Sequence, residues 1–132
     1  MIFVDTSFWT AVRDRRDDRH SGAVRMLRSV ADQELITTNN VRGETWTLLR
    51  RRAGHAAAIQ FFDQLERSAR LSVVRVDEEH ERDALAWLRR HDERPYSFVD
   101  ATSFAVMRAK HVRSVLTFDA DFVTAGFALI EA

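Results

Sequence analysis

Apolar positions along this chain fall into two patterns: short unbroken runs, and longer stretches in which they recur every three or four residues. Ile2, Phe3 and Val4 form the first run and predict a buried strand over residues 1–5. Thr6 and Ser7 offer hydroxyl caps for a short helix reaching about Arg13. The charged stretch Asp14–Arg19 reads as a solvated connection. From Ser21 to Ala31 the pattern predicts a helix with Val24, Leu27 and Val30 inward. Glu34–Thr38 is a second strand, after which Asn39 and Asn40 cap a helix through about Arg52. Gly54 breaks the chain ahead of a helix over Ala56–Ser68, with Ile59, Phe62 and Leu65 inward.

The second half repeats the alternation. Leu71–Val76 is a third strand. Asp77–Arg90 is a helix whose ends suit the helix dipole, with Glu78, Glu79 and Glu81 early and Arg89 and Arg90 late. Glu93–Pro95 is a turn, because proline and its predecessor resist helix. Ser97–His111 is a helix apolar on nearly all sides, which predicts a central place for it. Ser114–Phe118 is a fourth strand, Asp119–Thr124 a turn and Phe127–Ile130 a fifth strand. Strands alternating with helices predict an α/β sandwich: a mostly parallel sheet with helices on both faces.

Length and composition narrow this picture. The chain has 132 residues, which predicts one domain over 1–132. It has no cysteine, so disulfides, thiolate zinc sites and a cysteine nucleophile are excluded. Its 20 basic and 20 acidic residues cancel, which excludes a uniformly cationic nucleic-acid coat but not local basic patches. The longest apolar run, Ala84–Leu88, is far short of the roughly 20 residues of a membrane helix. The opening residues carry no signal-peptide pattern, so the expected compartment is the cytoplasm.

In an open α/β sheet, ligands bind beyond the carboxyl ends of the strands. Asp5 ends the first strand, and Asp119 follows the fourth, with Asp121 two residues on. Glu44 lies early in the helix after the second strand, and Asp100 in the first turn of the apolar helix. Such acids brought together repel one another unless a cation joins them. Mg²⁺ or Mn²⁺ prefers oxygen ligands, and Asp5 and Asp100 are the candidates to hold it directly. Glu44 and Asp119 would act mostly through water. An ion held this way can bridge a phosphate and turn water into a nucleophile, which is the chemistry of phosphodiester hydrolysis. Two basic runs could hold a phosphate backbone: Arg50, Arg51 and Arg52, and Arg13, Arg15, Arg16 and Arg19.

Each acid has a structural alternative. Asp5 can cap the first helix, Ser97-x-x-Asp100 fits a capping box, Glu44 can be an exposed helix residue, and Asp119 can serve a turn. Asp77 also ends a strand, so position alone does not dismiss it. The scattered histidines, His20, His55, His80, His91 and His111, lack a nucleophile or metal partner in the sequence.

Four segments in order resemble the motifs of PIN-domain proteins, specifically the VapC toxins of bacterial toxin–antitoxin pairs. They are Ile2–Ser7, Thr37–Leu49 around Glu44, Ser97–Phe104 and Leu116–Phe122. The resemblance covers nearly the whole chain. It implies a Mg²⁺- or Mn²⁺-dependent endoribonuclease with Asp5, Glu44, Asp100 and Asp119 as its acidic set. Thr6 and Thr117 would be supporting hydroxyls and Asp121 a further acid. It also implies the strand order 3-2-1-4-5, which would put Asp77 beside an edge strand and away from the pocket. The implied partners are an RNA substrate, a small VapB-type antitoxin that blocks the site, and a second copy of the chain. DNA would be bound only through the antitoxin.

Phe8 and Trp9 are neighbours on a short helix, so one of them is a candidate to line a partner groove. Trp46 reads as core packing, and Trp87 as core or dimer interface. Two other readings keep the fold. A receiver or phosphoryl-transfer domain fits poorly, because the only lysine, Lys110, lies late in a helix and Asp5 is followed by Thr6 and Ser7. A non-catalytic PIN-like module that holds RNA or a protein is the other.

Overall fold

The apolar runs are the strands. In the computed structural model, which describes residues 1–131, they are β1 (Ile2–Val4), β2 (Leu35–Thr38), β3 (Leu71–Val74), β4 (Ser114–Leu116) and β5 (Ala128–Leu129). They form one sheet in the order β3-β2-β1-β4-β5, with every neighbouring pair parallel. Burial follows that order: β1 and β2 are buried throughout, whereas β3 is only partly covered and β5 is exposed. Strands covered on both faces need apolar residues at every position, which is why β1 reads as an unbroken run.

The helices are α1 (Thr6–Arg13), α2 (His20–Ser29), α3 (Asn39–Arg52), α4 (His55–Arg67), α5 (Glu78–Arg90), α6 (Phe98–Ala109) and α7 (Asp121–Thr124). α1 packs on α2 and α3, α3 packs on α4, and α5 packs on α6. α6 is the central helix that its composition predicts: every residue from Asp100 to Met107 is buried. Its first residue, Phe98, is an exception and stands exposed. Among the described residues no helix is long and apolar enough to cross a membrane.

Several local expectations are corrected. α2 turns Ala23, Met26 and Val30 inward, with Val24 and Leu27 only partly covered. α4 buries Ala58, Phe61 and Leu65, with Phe62 half-buried and Ile59 exposed. The cap of α3 is Thr38, whose hydroxyl accepts from the Val41 N–H at 3.0 Å. Asn39 and Asn40 instead tie α3 to its surroundings. Asn39 Oδ1 accepts from the Val76 N–H at 2.7 Å, and Asn40 Nδ2 donates to Thr102 Oγ1 at 3.2 Å. The segment after β4 is not all turn, because Asp121–Thr124 closes one helical turn.

Neither Phe8 nor Trp9 is free to line a groove, since both are buried. They face opposite covers: Phe8 stacks on Phe118 at 5.7 Å, and Trp9 meets the edge of Phe61 at 5.8 Å. Trp46 is half-buried against Phe62. Trp87 belongs to the core, packed edge-on to Phe104 and Tyr96.

Candidate active site

The parallel register of β1 and β4 pairs Val4 with Leu116, so Asp5 and Thr117 leave the sheet side by side. Thr117 Oγ1 donates to Asp5 Oδ2 at 2.9 Å, and Ser7 Oγ donates to the same oxygen at 3.2 Å. Each hydroxyl is fixed in turn by backbone: Ser7 Oγ accepts from the Phe118 N–H at 2.9 Å, and Thr117 Oγ1 from the Asp119 N–H at 3.0 Å. Asp5 thus occupies the N-cap position of α1 without its side chain capping the helix.

α6 brings the second buried acid. Ser97 caps this helix by accepting from the Asp100 N–H at 2.9 Å, and Asp100 follows in the first turn. α3 supplies Glu44, half-buried on the facing wall. Asp5, Glu44, Asp100 and Asp119 all line one cleft of about 340 Å³. Asp119 also serves its turn, since one of its oxygens accepts from the Asp121 N–H at 2.9 Å. Carboxylate oxygens of Asp100, Asp119 and Asp121 lie within 4.8 Å of one another. Asp121, however, is already paired with the Arg94 guanidinium through Nε. Asp77 is exposed and locked into a capping box with His80, so it serves α5 and not the cleft.

Burial decides the electrostatics. Asp5 is 3% exposed, and desolvation pushes its carboxyl up to about 6. The Thr117 and Thr6 hydrogen bonds oppose the rise, while the charges of Asp119 and Glu44 add to it. Asp100, 8% exposed, is pushed up to about 7, first by desolvation and then by the charges of Asp5 and Asp119. Among the described residues no salt bridge reaches Asp5, Glu44, Asp100 or Asp119. Buried carboxylates without a paired cation, in a cleft with no histidine or cysteine, are a donor set that fits a hard divalent ion.

The remaining expected residues divide. Thr6 lines the cleft, and its buried Oγ1 has no hydrogen-bond partner. Arg52 and Arg19 line it as well. Arg50 and Arg51 are exposed on the last turn of α3, outside the cleft lining. Arg13 and Arg15 border a separate pocket with His20, Gln60 and Gln64, where burial lowers the Arg13 guanidinium from its usual value. Three side chains here had no role assigned from sequence: Ser7 as a partner of Asp5, Asp17 on the cleft wall, and Arg94 against Asp121. Ser7 carried the one usable signal, a hydroxyl two residues beyond a strand-end aspartate.

Comparison with known proteins agrees with this geometry. The model of the PIN domain matches residues 2–128. The chain belongs to the PIN-domain family and, within it, to the VapC toxins, which are endoribonucleases. It is 53% identical over 131 residues to the 23S rRNA-specific endonuclease VapC20 of Mycobacterium tuberculosis, in both strains CDC 1551 / Oshkosh and ATCC 25618 / H37Rv. That match covers 96% of this chain and 95% of the relative. The crystal structure of Mycobacterium tuberculosis VapC20, described as a sarcin-ricin loop cleaving toxin, superposes with a TM-score of 0.91. Identity there is 50%, with 97% of each chain covered. Membership makes RNA the class of substrate and an antitoxin the class of partner.

Proposed function

We propose that this toxin hydrolyses a phosphodiester bond in the sarcin–ricin loop of 23S rRNA, with Mg²⁺ or Mn²⁺ held by Asp5 and Asp100. The observation that carries the metal site is the pair of buried carboxylates, both pushed upward in pKa and neither joined to a cation. The substrate rests on the 53% identity to VapC20 across 96% of this chain.

A hard divalent ion held there would supply Lewis acidity toward a phosphoryl oxygen and a bound water. Asp5 and Asp100 would hold it, and the Thr117 and Ser7 hydroxyls keep Asp5 oriented. Glu44 and Asp119 position the attacking water from the cleft walls. Thr6 Oγ1, unpartnered at the cleft, donates to a phosphate oxygen. The water oxygen bonds to phosphorus, the bond from phosphorus to the leaving ester oxygen breaks, and the proton lost by water ends on that oxygen. Asp121 stays with Arg94 and shapes the rim as a supporting acid. Arg50, Arg51, Arg52, Arg13 and Arg15 offset the charge of the RNA backbone. A VapB-type antitoxin covers the cleft, DNA contacts belong to that partner, and the toxin works in the cytoplasm as a homodimer.

The test is cleavage of 23S rRNA by purified, antitoxin-free protein in Mg²⁺, Mn²⁺ or EDTA, with Asp100→Asn alongside. The expected result is one metal-dependent cut in the sarcin–ricin loop that the variant does not make. Equal cutting by both proteins would overturn the site. A metal-dependent cut elsewhere would overturn the substrate, and no cut by either would leave a binding module.

A further inference from the structure

Two guanidinium groups line the acidic cleft, Arg19 and Arg52, and the structure treats them differently. Among the described residues no salt bridge or aromatic ring holds Arg52, which is exposed at the end of α3. Arg19 is built in. The connection from α1 to α2 consists of two successive turns, each closed by an aspartate. Asp14 Oδ1 accepts from the Arg16 N–H at 3.1 Å, and Asp17 Oδ1 from the Arg19 N–H at 2.8 Å. Asp14 itself is buried, which anchors the segment. The Arg19 guanidinium lies over the Phe118 ring at 5.1 Å, and that ring stacks on buried Phe8.

This arrangement runs against simple electrostatics. A mobile arginine beside Asp5, Asp17, Glu44, Asp100 and Asp119 falls onto a carboxylate, because opposite charges a few Å apart attract strongly at the edge of a protein. Among the described residues Arg19 makes no salt bridge. The face of Phe118 gives the cation an alternative resting place. The acids stay free for a metal ion, and the guanidinium keeps its forked donors for something else. The same cleft must accept a phosphodiester whose non-bridging oxygens gain charge as water attacks, and a fixed fork of donors matches two of those oxygens.

Building on the ribonuclease reading, we infer that Arg19 is a catalytic residue that grips the scissile phosphate and stabilises its developing charge, with Phe118 as its positioning residue. Arg52 also borders the adjoining polar pocket, where Arg16, Arg19 and Arg52 stand among Asp14, Asp17 and Asp18, and from there it meets the neighbouring phosphate of the same strand. Arg19 therefore acts on rate, and Arg52 on affinity. A donor aimed at developing charge changes the chemical step by about 10²–10³-fold, whereas a backbone contact weakens binding and its salt dependence.

The experiment is single-turnover cleavage of the sarcin–ricin RNA in Mn²⁺ by wild type, Arg19→Gln, Arg19→Lys, Arg52→Gln and Phe118→Leu. RNA affinity is measured in parallel in EDTA, and Mn²⁺ affinity on the protein alone. Arg19→Gln is expected to slow the saturated rate by about 10²-fold or more, with RNA and Mn²⁺ affinities within a few-fold of wild type. Arg19→Lys recovers part of the rate, since one point charge replaces a fork. Phe118→Leu shows a smaller loss in rate, and Arg52→Gln loses affinity by a larger factor than saturated rate. An Arg19→Gln protein that cuts at the wild-type saturated rate, or loses only affinity, overturns this inference and leaves the ribonuclease reading standing. A wild type that cuts no RNA overturns both.

Discussion

Two aspartates stand at the N-cap of helices that follow strands in this chain, and their fates differ. Asp77 follows the partly covered edge strand β3, sits exposed, and closes a reciprocal capping box on α5. Asp5 follows β1, the middle strand, sits buried, and leaves its helix uncapped by its side chain. The neighbours make the difference. β1 has a parallel partner on each side, so β4 delivers Thr117 beside Asp5 and α6 delivers Asp100 nearby. At the edge a strand-end acid meets mainly its own helix and water. Local sequence cannot separate the two residues; the strand order can.

The sharpest break of that comparison is a pair of isosteric changes. Asp100→Asn removes a charge from the central cluster and should cost RNA cleavage about 10³-fold or more, because several kcal/mol of metal-derived stabilisation go with it. Asp77→Asn, assayed beside it, should cut at the wild-type rate. Comparable losses in the two variants would mean that strand position does not select the site.

The hydroxyls beneath Asp5 come next. Thr117→Val keeps the shape and removes the donor to Asp5 Oδ2 along with the acceptor for the Asp119 N–H. Supporting partners of this kind typically change metal affinity by about 10–100-fold. Titration calorimetry with Mn²⁺ should show a loss in that range. Unchanged affinity would mean that the ligand oxygens are oriented by something else.

Burial makes the central cluster a source of strain that depends on pH. An ordinary aspartate titrates near 3.9, whereas Asp5 and Asp100 are pushed up to about 6 and about 7. Between about pH 4 and pH 7 the folded chain therefore holds more protons than the unfolded one, and stability falls as pH rises. Each group accounts for a decline on the order of a few kcal/mol, larger for Asp100 than for Asp5. In EDTA the unfolding temperature should drop across this window, and in Asp100→Asn it should drop less. Mn²⁺ should flatten or reverse the slope, since it binds the ionised acids of the folded state. A metal-free profile that rises from pH 4 to pH 7 would contradict the assignment.

The sequence showed some of this well and some of it poorly, for physical reasons. All five strands were legible, β1 most clearly, because a parallel strand buried on both faces leaves little room for polar residues. The helix faces of α2 and α4 were misread for one shared reason. Val24, Leu27 and Val30, like Ile59, Phe62 and Leu65, are spaced three and three. Six residues carry a helix about 120° off the starting face, whereas seven return to within about 20° of it. Ala23, Met26 and Val30, and Ala58, Phe61 and Leu65, are spaced three and four and hold the buried stripe. Small alanines take the closest approach and are easily passed over for bulkier neighbours. Asp5, Glu44, Asp100 and Asp119 were legible from their places at strand and helix ends and from the family motifs. Arg19 was legible only as one of four arginines able to hold a phosphate backbone, and Asp17 not at all, since a connection without periodicity gives no sign of which side chains turn back toward the sheet.

The smallest effect lies at the edge. Asp77→Ala removes the carboxylate that accepts from the His80 N–H at 2.9 Å. It leaves the Asp77 N–H bonded to His80 Nδ1, so only half of the capping box is lost. Replacing an aspartate cap by alanine costs about 1 kcal/mol, or roughly 3–6 °C in unfolding temperature for a chain of this size. Glu78, Glu79 and Glu81 still face the helix N-terminus and limit the damage. Thermal unfolding at fixed pH should show this drop while RNA cleavage at 25 °C and Mn²⁺ affinity stay as in wild type. A weakened Mn²⁺ affinity in Asp77→Ala would mean that the edge and the centre are coupled through α5 and α6, which pack together, and that the separation drawn here between capping acid and chemical acid is incomplete.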